Sequence, residues 1–262
     1  MATYVIGDVH GCYQALLKLF ELIELKASDT IIFIGDLVGK GKQEWEVLAL
    51  AKQRNALILM GNHDLHFLAI HSKPDNFKKL SAAQQDHLAY YLKAKFAYWH
   101  QKTDSLLVHA GVWPEWSLQD TLAHAKELEK ALLSWDKLKQ LAGNMYGNKE
   151  NKWLNTLTAW PRYRCMINIF TRMRCITEAI EMDLSYTGDL ETLPQGSKPW
   201  YLYSKIDCQR VIFGHWSALR ANSRHKKFIC IDQGYIWGGA LQAFRLEDAA
   251  VFRVYNDEFE AN

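Results

Sequence analysis

Five apolar runs in this chain end abruptly at residues that can bind a hard metal ion or a phosphate. The runs are short and rich in β-branched residues, and nearby glycines bound them, a pattern typical of buried strands. In open α/β sheets, functional residues gather just beyond the carboxyl ends of such strands. The sequence therefore predicts that two Asp, one Asn and four His converge at one sheet edge. The runs TYVIG, TIIFIG, ALILM, LLV and RVIFG lead, in that order, into Asp8 and His10, Asp36, Asn62 and His63, His109, and His215.

Composition limits the classes of protein to which this chain can belong. Its 262 residues, 49% of them hydrophobic, suffice for one domain with a substantial core. A formal net charge of +2 indicates no bulk polyanion partner, so any affinity for phosphate must be local. No apolar run approaches the roughly 18 to 20 residues of a membrane-spanning helix. We therefore expect no membrane association. The sequence gives no sign of an obligate protein partner.

The cysteines indicate the compartment. All five lack a CxxC partner, and their number is odd. Both features favour free, buried thiols in a reducing environment. The first strand starts at Thr3, which leaves no room for the charged and apolar regions of a secretory leader. We therefore expect a cytoplasmic protein.

Hydrophobic periodicity predicts alternating strands and helices. The opening is a βαβ unit made of strand 3–7, a helix from about Tyr13, and strand 30–35. Further strands are predicted at 56–60, 106–109, 210–214, 228–232, 240–245 and 250–255. Further helices are predicted at 42–55, over most of 66–100 and 118–141, and around Met166 to Met173. Residues 143–161 are expected to be irregular, and a loop with Gly188, Pro194 and Gly196 follows the last helix.

These elements predict the fold class. No repeat, low-complexity linker or shift in composition marks a domain boundary. We expect one α/β domain over residues 1–262, in which two mixed β-sheets form a sandwich flanked by helices. The segment at about 145–200 is interpreted as an insertion that shapes the site.

The residues at the strand ends predict a two-metal hydrolase site. Carboxylate, imidazole and amide oxygen suit Mn²⁺, Fe, Co²⁺ or Zn²⁺. Asp36 would bridge two ions about 3.5–4 Å apart, and the pair would hold a hydroxide for in-line attack on phosphorus. A single Gly-Asp would be read as an ordinary turn, but five coordinated matches favour the metal site. Asp8 and His10 would bind one ion, and Asn62, His109 and His215 would complete the other.

The motifs carry a resemblance to a known family. GDVHG, GDLVGKG, GNHD, HAG and GH, in that order, resemble the calcineurin-like metallophosphoesterases of the phosphoprotein-phosphatase type. Five longer segments are similar to bacterial symmetrical diadenosine tetraphosphatases, and the similarity runs from residue 3 to about 255. These segments are MYGNKENKW at 145–153, NIFTRMR at 168–174, KPW at 198–200, FGHWSAL at 213–219 and IDQGYIWGGALQAFRLED at 231–248.

The resemblance implies a fold, a reaction and a set of roles. The fold would be the metallophosphoesterase-type sandwich of two mixed sheets. The reaction would be metal-dependent hydrolysis of bis(5′-nucleosyl) tetraphosphates, with diadenosine tetraphosphate giving two ADP after attack on a central phosphorus. His63 would protonate the leaving group. The cofactors would be two divalent ions, Mn²⁺ or Co²⁺ first, held by Asp8, His10 and Asp36 on one side and by Asp36, Asn62, His109 and His215 on the other.

Lys40 is a departure from the family pattern. The family usually carries Arg there, which can grip a phosphate with two parallel hydrogen bonds, whereas Lys is a compact point charge. We expect Lys40 to keep a catalytic and substrate-binding role. Gly39 stands where protein phosphatases of this type carry an Asp that supports the acid His, which counts mildly against a protein substrate.

Other polar and aromatic residues are candidates for substrate contacts. A run of Arg is usually a solvated surface, but the resemblance makes Arg172 and Arg174 clamps on the polyphosphate. Tyr146 and Trp153 are the candidates for stacking on a nucleobase. Asp64 is expected either to orient His63 or to cap a helix.

Three alternative functions remain open at this point. The same linkage occurs in nucleoside-tetraphosphate caps on RNA, so capped RNA 5′ ends are a possible partner. A protein serine/threonine phosphatase would use the same metals. Because Lys40 departs from the family pattern, a catalytically weak nucleotide-binding protein is the third alternative. The intact ligand set and His63 favour an enzyme.

Overall fold

The computed structural model describes residues 1–257, apart from the side chain of Trp135. Its first main sheet has the strand order β12-β11-β1-β2-β3. The three sequential strands are parallel, and the two C-terminal strands join antiparallel beside β1. The strands are β1 (Thr3–Ile6), β2 (Thr30–Phe33), β3 (Leu57–Ile58), β11 (Ala240–Arg245) and β12 (Val251–Tyr255).

The second main sheet has the order β10-β9-β5-β4. It is also mixed, because β9 is parallel to both of its neighbours while β4 is antiparallel to β5. The strands are β4 (Ala97–His100), β5 (Ser105–Val108), β9 (Arg210–Phe213) and β10 (Phe228–Cys230).

The interface between the two main sheets is apolar. Val5 and Ile32 from the first sheet pack with Leu107 and Ile212 from the second, and each is at most 1% exposed. The residue after each of them belongs to the other apolar cluster, which includes the helices. This alternation is the period of two of a strand. Because each buried aliphatic side chain contributes roughly 1.5–3 kcal/mol, a slip of register would be costly.

The helices pack around these sheets. Their apolar faces are buried, as Leu16, Leu19 and Phe20 of the first helix illustrate. Within residues 1–257, no helix combines the length and the apolarity that crossing a bilayer requires. The helices are α1 (Tyr13–Leu22), α2 (Glu44–Gln53), α3 (Asn62–His71), α4 (Pro74–Phe77), α5 (Ala82–Tyr91), α6 (Leu118–Leu132), α7 (Trp135–Asn144) and α8 (Ala159–Arg172).

The structure confirms the predicted α/β sandwich and corrects two details. Strand β4 lies in a stretch that was predicted to be helical. A small antiparallel sheet of order β7-β6-β8 lies in the segment that was expected to be a loop. Its strands are β6 (Cys175–Thr177), β7 (Met182–Asp183) and β8 (Ser197–Pro199).

Candidate active site

The candidate site lies where β1, β2, β3, β5 and β9 end. Three of the predicted metal ligands there adopt left-handed backbone conformations, with φ of 51° at His10, 48° at Asp36 and 62° at His215. Such values are uncommon for residues other than glycine, and they concentrate at functional sites. The sharp turns stop each strand and direct its last side chain toward the others.

Asp36 is the centre of two groups of potential ligand atoms. His10, Asp36 and His63 form one group, and Asp36, His109 and His215 form the other, with the ligand atoms of each group within 4.8 Å of one another. Asp36 Oδ2 lies 3.9 Å from His10 Nε2 and 3.6 Å from His109 Nε2. A carboxylate shared by both groups is the arrangement expected of a bridging ligand.

Each of three imidazoles has one ring nitrogen beside a backbone carbonyl. His10 Nδ1 lies 3.2 Å from Val38 O, and His109 Nδ1 lies 3.0 Å from Ile34 O. His215 Nε2 lies 3.1 Å from Arg172 O. A carbonyl partner fixes the tautomer and leaves the opposite nitrogen for a metal. Burial lowers the pKa of His10 and of His109 to about 3, which keeps both imidazoles neutral, as metal ligands must be.

Asp8 completes the cluster from β1. Both of its carboxylate oxygens accept from the backbone N–H of His215, at 3.2 and 3.3 Å. Burial, Asp232 and Asp36 together raise the pKa of the Asp8 carboxyl well above its usual value. Burial and Asp64 do the same for Asp36. Crowded, buried carboxylates of this kind are stabilised in their charged form by a cation.

Two buried polar atoms indicate that the site can hold metal ions. His109 Nε2 and Asn62 Oδ1 have no hydrogen-bond partner among the described residues. Buried polar atoms are normally paired, so each orphan needs an explanation. Both belong to predicted metal ligands and both are metal-binding atoms. The residues present therefore fit a centre of divalent ions.

Asp64 supports the backbone of the site and makes no hydrogen bond to His63. It is fully buried and accepts from the backbone N–H groups of Asp36 at 2.8 Å, Leu37 at 2.9 Å and Gly61 at 2.9 Å. The hydroxyl of Tyr91 also donates to it. Of the two predicted roles, the structure supports capping, because Asp64 is the third residue of α3 and caps its first turn.

Two cavities meet at Asn62 and His63. The first, of about 420 Å³, contains Asp8, Asp36, Arg174 and His215 and has the exposed Lys40 at its rim. The second, of about 490 Å³, is lined by Tyr146, His66 and Arg172, among others. Both volumes lie in the range of small-ligand sites. The second cavity thus borders the candidate metal centre at Asn62 and His63.

Residues 1–217 match the family of calcineurin-like phosphoesterases. The chain belongs to that family. The six predicted metal ligands all fall within the matched residues, and the family resemblance seen in the motifs is confirmed.

Curated relatives resemble this phosphoesterase over nearly their whole length. A protein of Marinomonas sp. (strain MWYL1) is 37% identical, with 96% of each chain covered. One of Pseudomonas putida (strain GB-1) is 36% identical, with 97% of this chain and 92% of the relative covered. Both are named symmetrical bis(5′-nucleosyl)-tetraphosphatases.

Solved structures share the fold of this phosphoesterase. One that is provisionally described as a diadenosine tetraphosphatase has a TM-score of 0.65 at 20% identity, and the match covers 97% of this chain and 93% of the other. A yeast protein serine/threonine phosphatase has a TM-score of 0.53 at 13% identity, with 100% and 81% covered. At these identities the likeness is one of fold alone.

The structure places the predicted phosphate-binding residues around the phosphoesterase site. Lys40 is exposed at the rim of the first cavity, while Arg174 and Arg172 line the first and second cavities respectively. Arg172 is held by Asn168 Oδ1 at 2.8 Å and Asn148 Oδ1 at 3.0 Å. Arg174 Nε is buried and has no partner in the described part of the chain. The two predicted clamps are therefore divided between the cavities, and the first cavity also contains Arg220.

The structure contradicts the prediction for Trp153. Its side chain is only 6% exposed, and its ring packs against Trp116 and lies 4.5 Å from the guanidinium carbon of Arg162. Arg162 in turn pairs with Glu127 at 2.6 Å. No face of Trp153 is free for a nucleobase. Tyr146, the other candidate, is 55% exposed and lines the second cavity.

Asp232 and Trp237 are among the residues of the first cavity that sequence reasoning missed. Asp232 follows β10, is 4% exposed and lies close enough to Asp8 to raise the pKa of that carboxyl. It follows an apolar strand and lies two residues before Gly234, a pattern similar to that of the predicted ligands. Trp237 lines the cavity with 52% of its side chain exposed.

Proposed function

We propose that this phosphoesterase hydrolyses bis(5′-nucleosyl) tetraphosphates symmetrically, with diadenosine tetraphosphate giving two ADP. The observation that carries the proposal is that two cavities, with Arg174 in the first and Arg172 in the second, share Asn62 and His63. A centre in the middle of an extended site is suited to attack at a central phosphorus. The names of the full-length relatives support the same substrate.

We propose two divalent ions as cofactors, Mn²⁺ first, with Co²⁺, Fe or Zn²⁺ as the other choices. Asp8, His10 and Asp36 would hold one ion, and Asp36, Asn62, His109 and His215 the other. Bound there, the ions lower the pKa of a water and polarise phosphoryl oxygens. The orphaned Asn62 Oδ1 and His109 Nε2 support this assignment.

The cationic side chains would orient the phosphate chain and stabilise its charge. Arg174 presents a buried donor that lacks a partner within residues 1–257, and Arg172 is held rigidly by two asparagines. Lys40 adds a charge at the rim of the first cavity. Preorganised donors stabilise developing charge without further reorganisation.

His63 would donate a proton to the leaving ADP oxygen. Burial and the nearby Lys40 lower the pKa of His63 to about 4 in the free protein. An anionic phosphate beside the ring would favour the protonated form. A side chain at Gly39, where φ is +119°, would place a Cβ 2.6 Å from His63 Cβ. The imidazole therefore occupies the space in which a supporting carboxylate would have to begin.

The surroundings of the site complete the proposal. We propose that residues 1–262 form one domain whose segment 145–200 forms one wall of the substrate site, with Tyr146 stacking on a nucleobase. Five free cysteines support a cytoplasmic location. No observation favours an RNA cap as the substrate. None favours a phosphoprotein either, because the likeness to the yeast phosphatase is one of fold alone.

The experiment is product analysis. Protein washed with chelator is reloaded with Mn²⁺ and incubated with diadenosine tetraphosphate, and the nucleotides are separated by ion-exchange chromatography. ADP should be the only product. Equal amounts of ATP and AMP would show attack at an outer phosphorus and overturn the symmetrical reaction. Protein without metal is the control and should release nothing.

A further inference from the structure

The first cavity carries an exposed aromatic side chain that the mechanism has not used. Trp237 ends a short turn, Tyr235–Trp237, and 52% of its side chain is exposed beside Lys40 and Arg174. The Lys40 ammonium lies 5.9 Å from the centre of its ring. A large aromatic ring that is half exposed to solvent, in the cavity proposed to bind phosphate, is a surface on which a planar ligand group can stack.

The turn is held firmly, so the exposure of Trp237 is not that of a loose loop. Arg220 Nη2 donates to Trp237 O at 3.0 Å, and its Nη1 donates to Gln233 O at 3.0 Å. Asp232 Oδ1 accepts from the backbone N–H of Gly234 at 2.8 Å. Gly234 and Gly238 flank the turn with φ of 67° and 75°. The backbone beneath the indole is therefore fixed from both ends.

The second cavity repeats the arrangement with different residues. Tyr146 is 55% exposed, and its hydroxyl is hydrogen-bonded to the imidazole of His66. Each cavity thus contains arginine, Arg174 and Arg220 in the first and Arg172 in the second, together with one exposed aromatic ring. A dinucleoside polyphosphate has the same layout, with a base at each end of a chain of phosphates.

We propose that Trp237 is the stacking platform for the nucleobase of one half of the dinucleotide, while Tyr146 receives the base of the other half. This inference rests on the proposed function and identifies how both ends of that substrate are bound. Stacking on an aromatic ring is tolerant of base identity, because every base has a π-face. The two platforms favour a substrate with two bases over one with a single base.

The test compares Trp237→Ala, Trp237→Phe and Tyr146→Ala with the parent protein on diadenosine tetraphosphate. Loss of one stacked base costs about 1–3 kcal/mol, so KM should rise by about 5- to 150-fold in each alanine variant, while kcat changes much less. Trp237→Phe should stay near the parent. The double alanine variant should show the product of the two effects, because the rings lie in separate cavities. Tyr255→Ala, which removes an exposed aromatic ring of β12, is the matched control and should leave KM unchanged.

Three outcomes are decisive. An unchanged KM for Trp237→Ala, in a parent that releases ADP, would overturn the platform while leaving the proposed function intact. An equal rise of KM for nitrophenyl phosphate, which has no nucleobase, would show that the variant damages the centre instead. A parent that releases no ADP would overturn the proposed function, and calorimetric binding of the dinucleotide to the same Mn²⁺-loaded variants would then judge the platform separately. Thermal unfolding of each variant checks that it is folded.

Discussion

The carboxylate of Asp64 accepts a hydrogen bond of 2.8 Å from the backbone N–H of Asp36, the residue shared by both groups of candidate ligands. Asp64 also accepts from the backbone of Leu37 and of Gly61, so one buried side chain ties the end of β2 to the start of α3. The left-handed conformation of Asp36 is maintained by this contact. The site therefore depends on a residue that does not itself face the cavity.

We expect Asp64→Asn to be strongly destabilising. The asparagine amide would direct N–H groups at donors that now face a carboxylate, and buried unsatisfied donors cost about 1–3 kcal/mol each. The free energy of unfolding should fall by about 3 kcal/mol or more, and bound metal should fall with it. Denaturant unfolding and metal analysis measure both. Asp136→Asn, on the surface of α7 with 94% of its side chain exposed, is the control and should change stability by less than about 0.5 kcal/mol.

Asp36→Asn should be worse for turnover than loss of a one-metal ligand such as His10. The substitution weakens the link that both ions share, so we expect a fall of about 100-fold or more, or roughly 3 kcal/mol in the barrier. His10→Ala is measured alongside, with both proteins washed with chelator and reloaded with Mn²⁺. Full activity of the Asp36 variant would rule out the arrangement of ligands proposed above.

His63→Ala should lower turnover of the dinucleotide by about 10²- to 10⁴-fold, the usual contribution of a general acid. Nitrophenyl phosphate has a good leaving group that needs little protonation, so its turnover should fall much less. Bound metal should stay close to that of the parent. His63 also groups with His10 and Asp36; equal losses on both substrates, together with lost metal, would instead make His63 a ligand.

Lys40→Ala should reduce turnover by about 10²- to 10³-fold, because a preorganised charge on the transferred phosphate is removed. Lys40→Arg should keep activity within about tenfold, since the charge is retained and only the geometry changes. Steady-state kinetics on the dinucleotide measure both variants. An alanine variant with unaltered kcat and KM would leave Arg172 and Arg174 as the phosphate contacts.

The sequence was most informative where local pattern and topology coincide. Asp8, Asp36 and His215 each follow a short apolar run, and parallel strands bring such ends together, so the cluster was predictable without contacts. Strand β4 was missed because it follows helical sequence without a glycine to mark the change. The small sheet of β6, β7 and β8 was missed because two or three residues carry no periodicity.

Side-chain exposure was less predictable than position. Trp153 lies in a polar stretch and Trp237 in an apolar, glycine-rich one, so local polarity would have predicted the opposite exposures. The ring of Trp153 is covered by Trp116 and Arg162, which arrive from other parts of the chain. Trp237 stays 52% exposed, because Arg220 binds its backbone and only the Lys40 ammonium, 5.9 Å from the ring centre, is recorded near its ring. Such differences are set by tertiary packing alone.

The pairing of β1 with β11 has a consequence for how the protein is made. Tyr4 lies opposite Arg245. Strand β1 is the first to be synthesised, but it can pair with β11 only after almost the whole chain has been synthesised. Contacts so distant in sequence form slowly, because a long loop must close before they give any stabilisation. When every candidate ligand has emerged from the ribosome, the nascent chain still lacks β11, the antiparallel neighbour of β1 in the centre of the first sheet. Tight metal capture should therefore be among the last events of biogenesis, after the C-terminal strands have emerged.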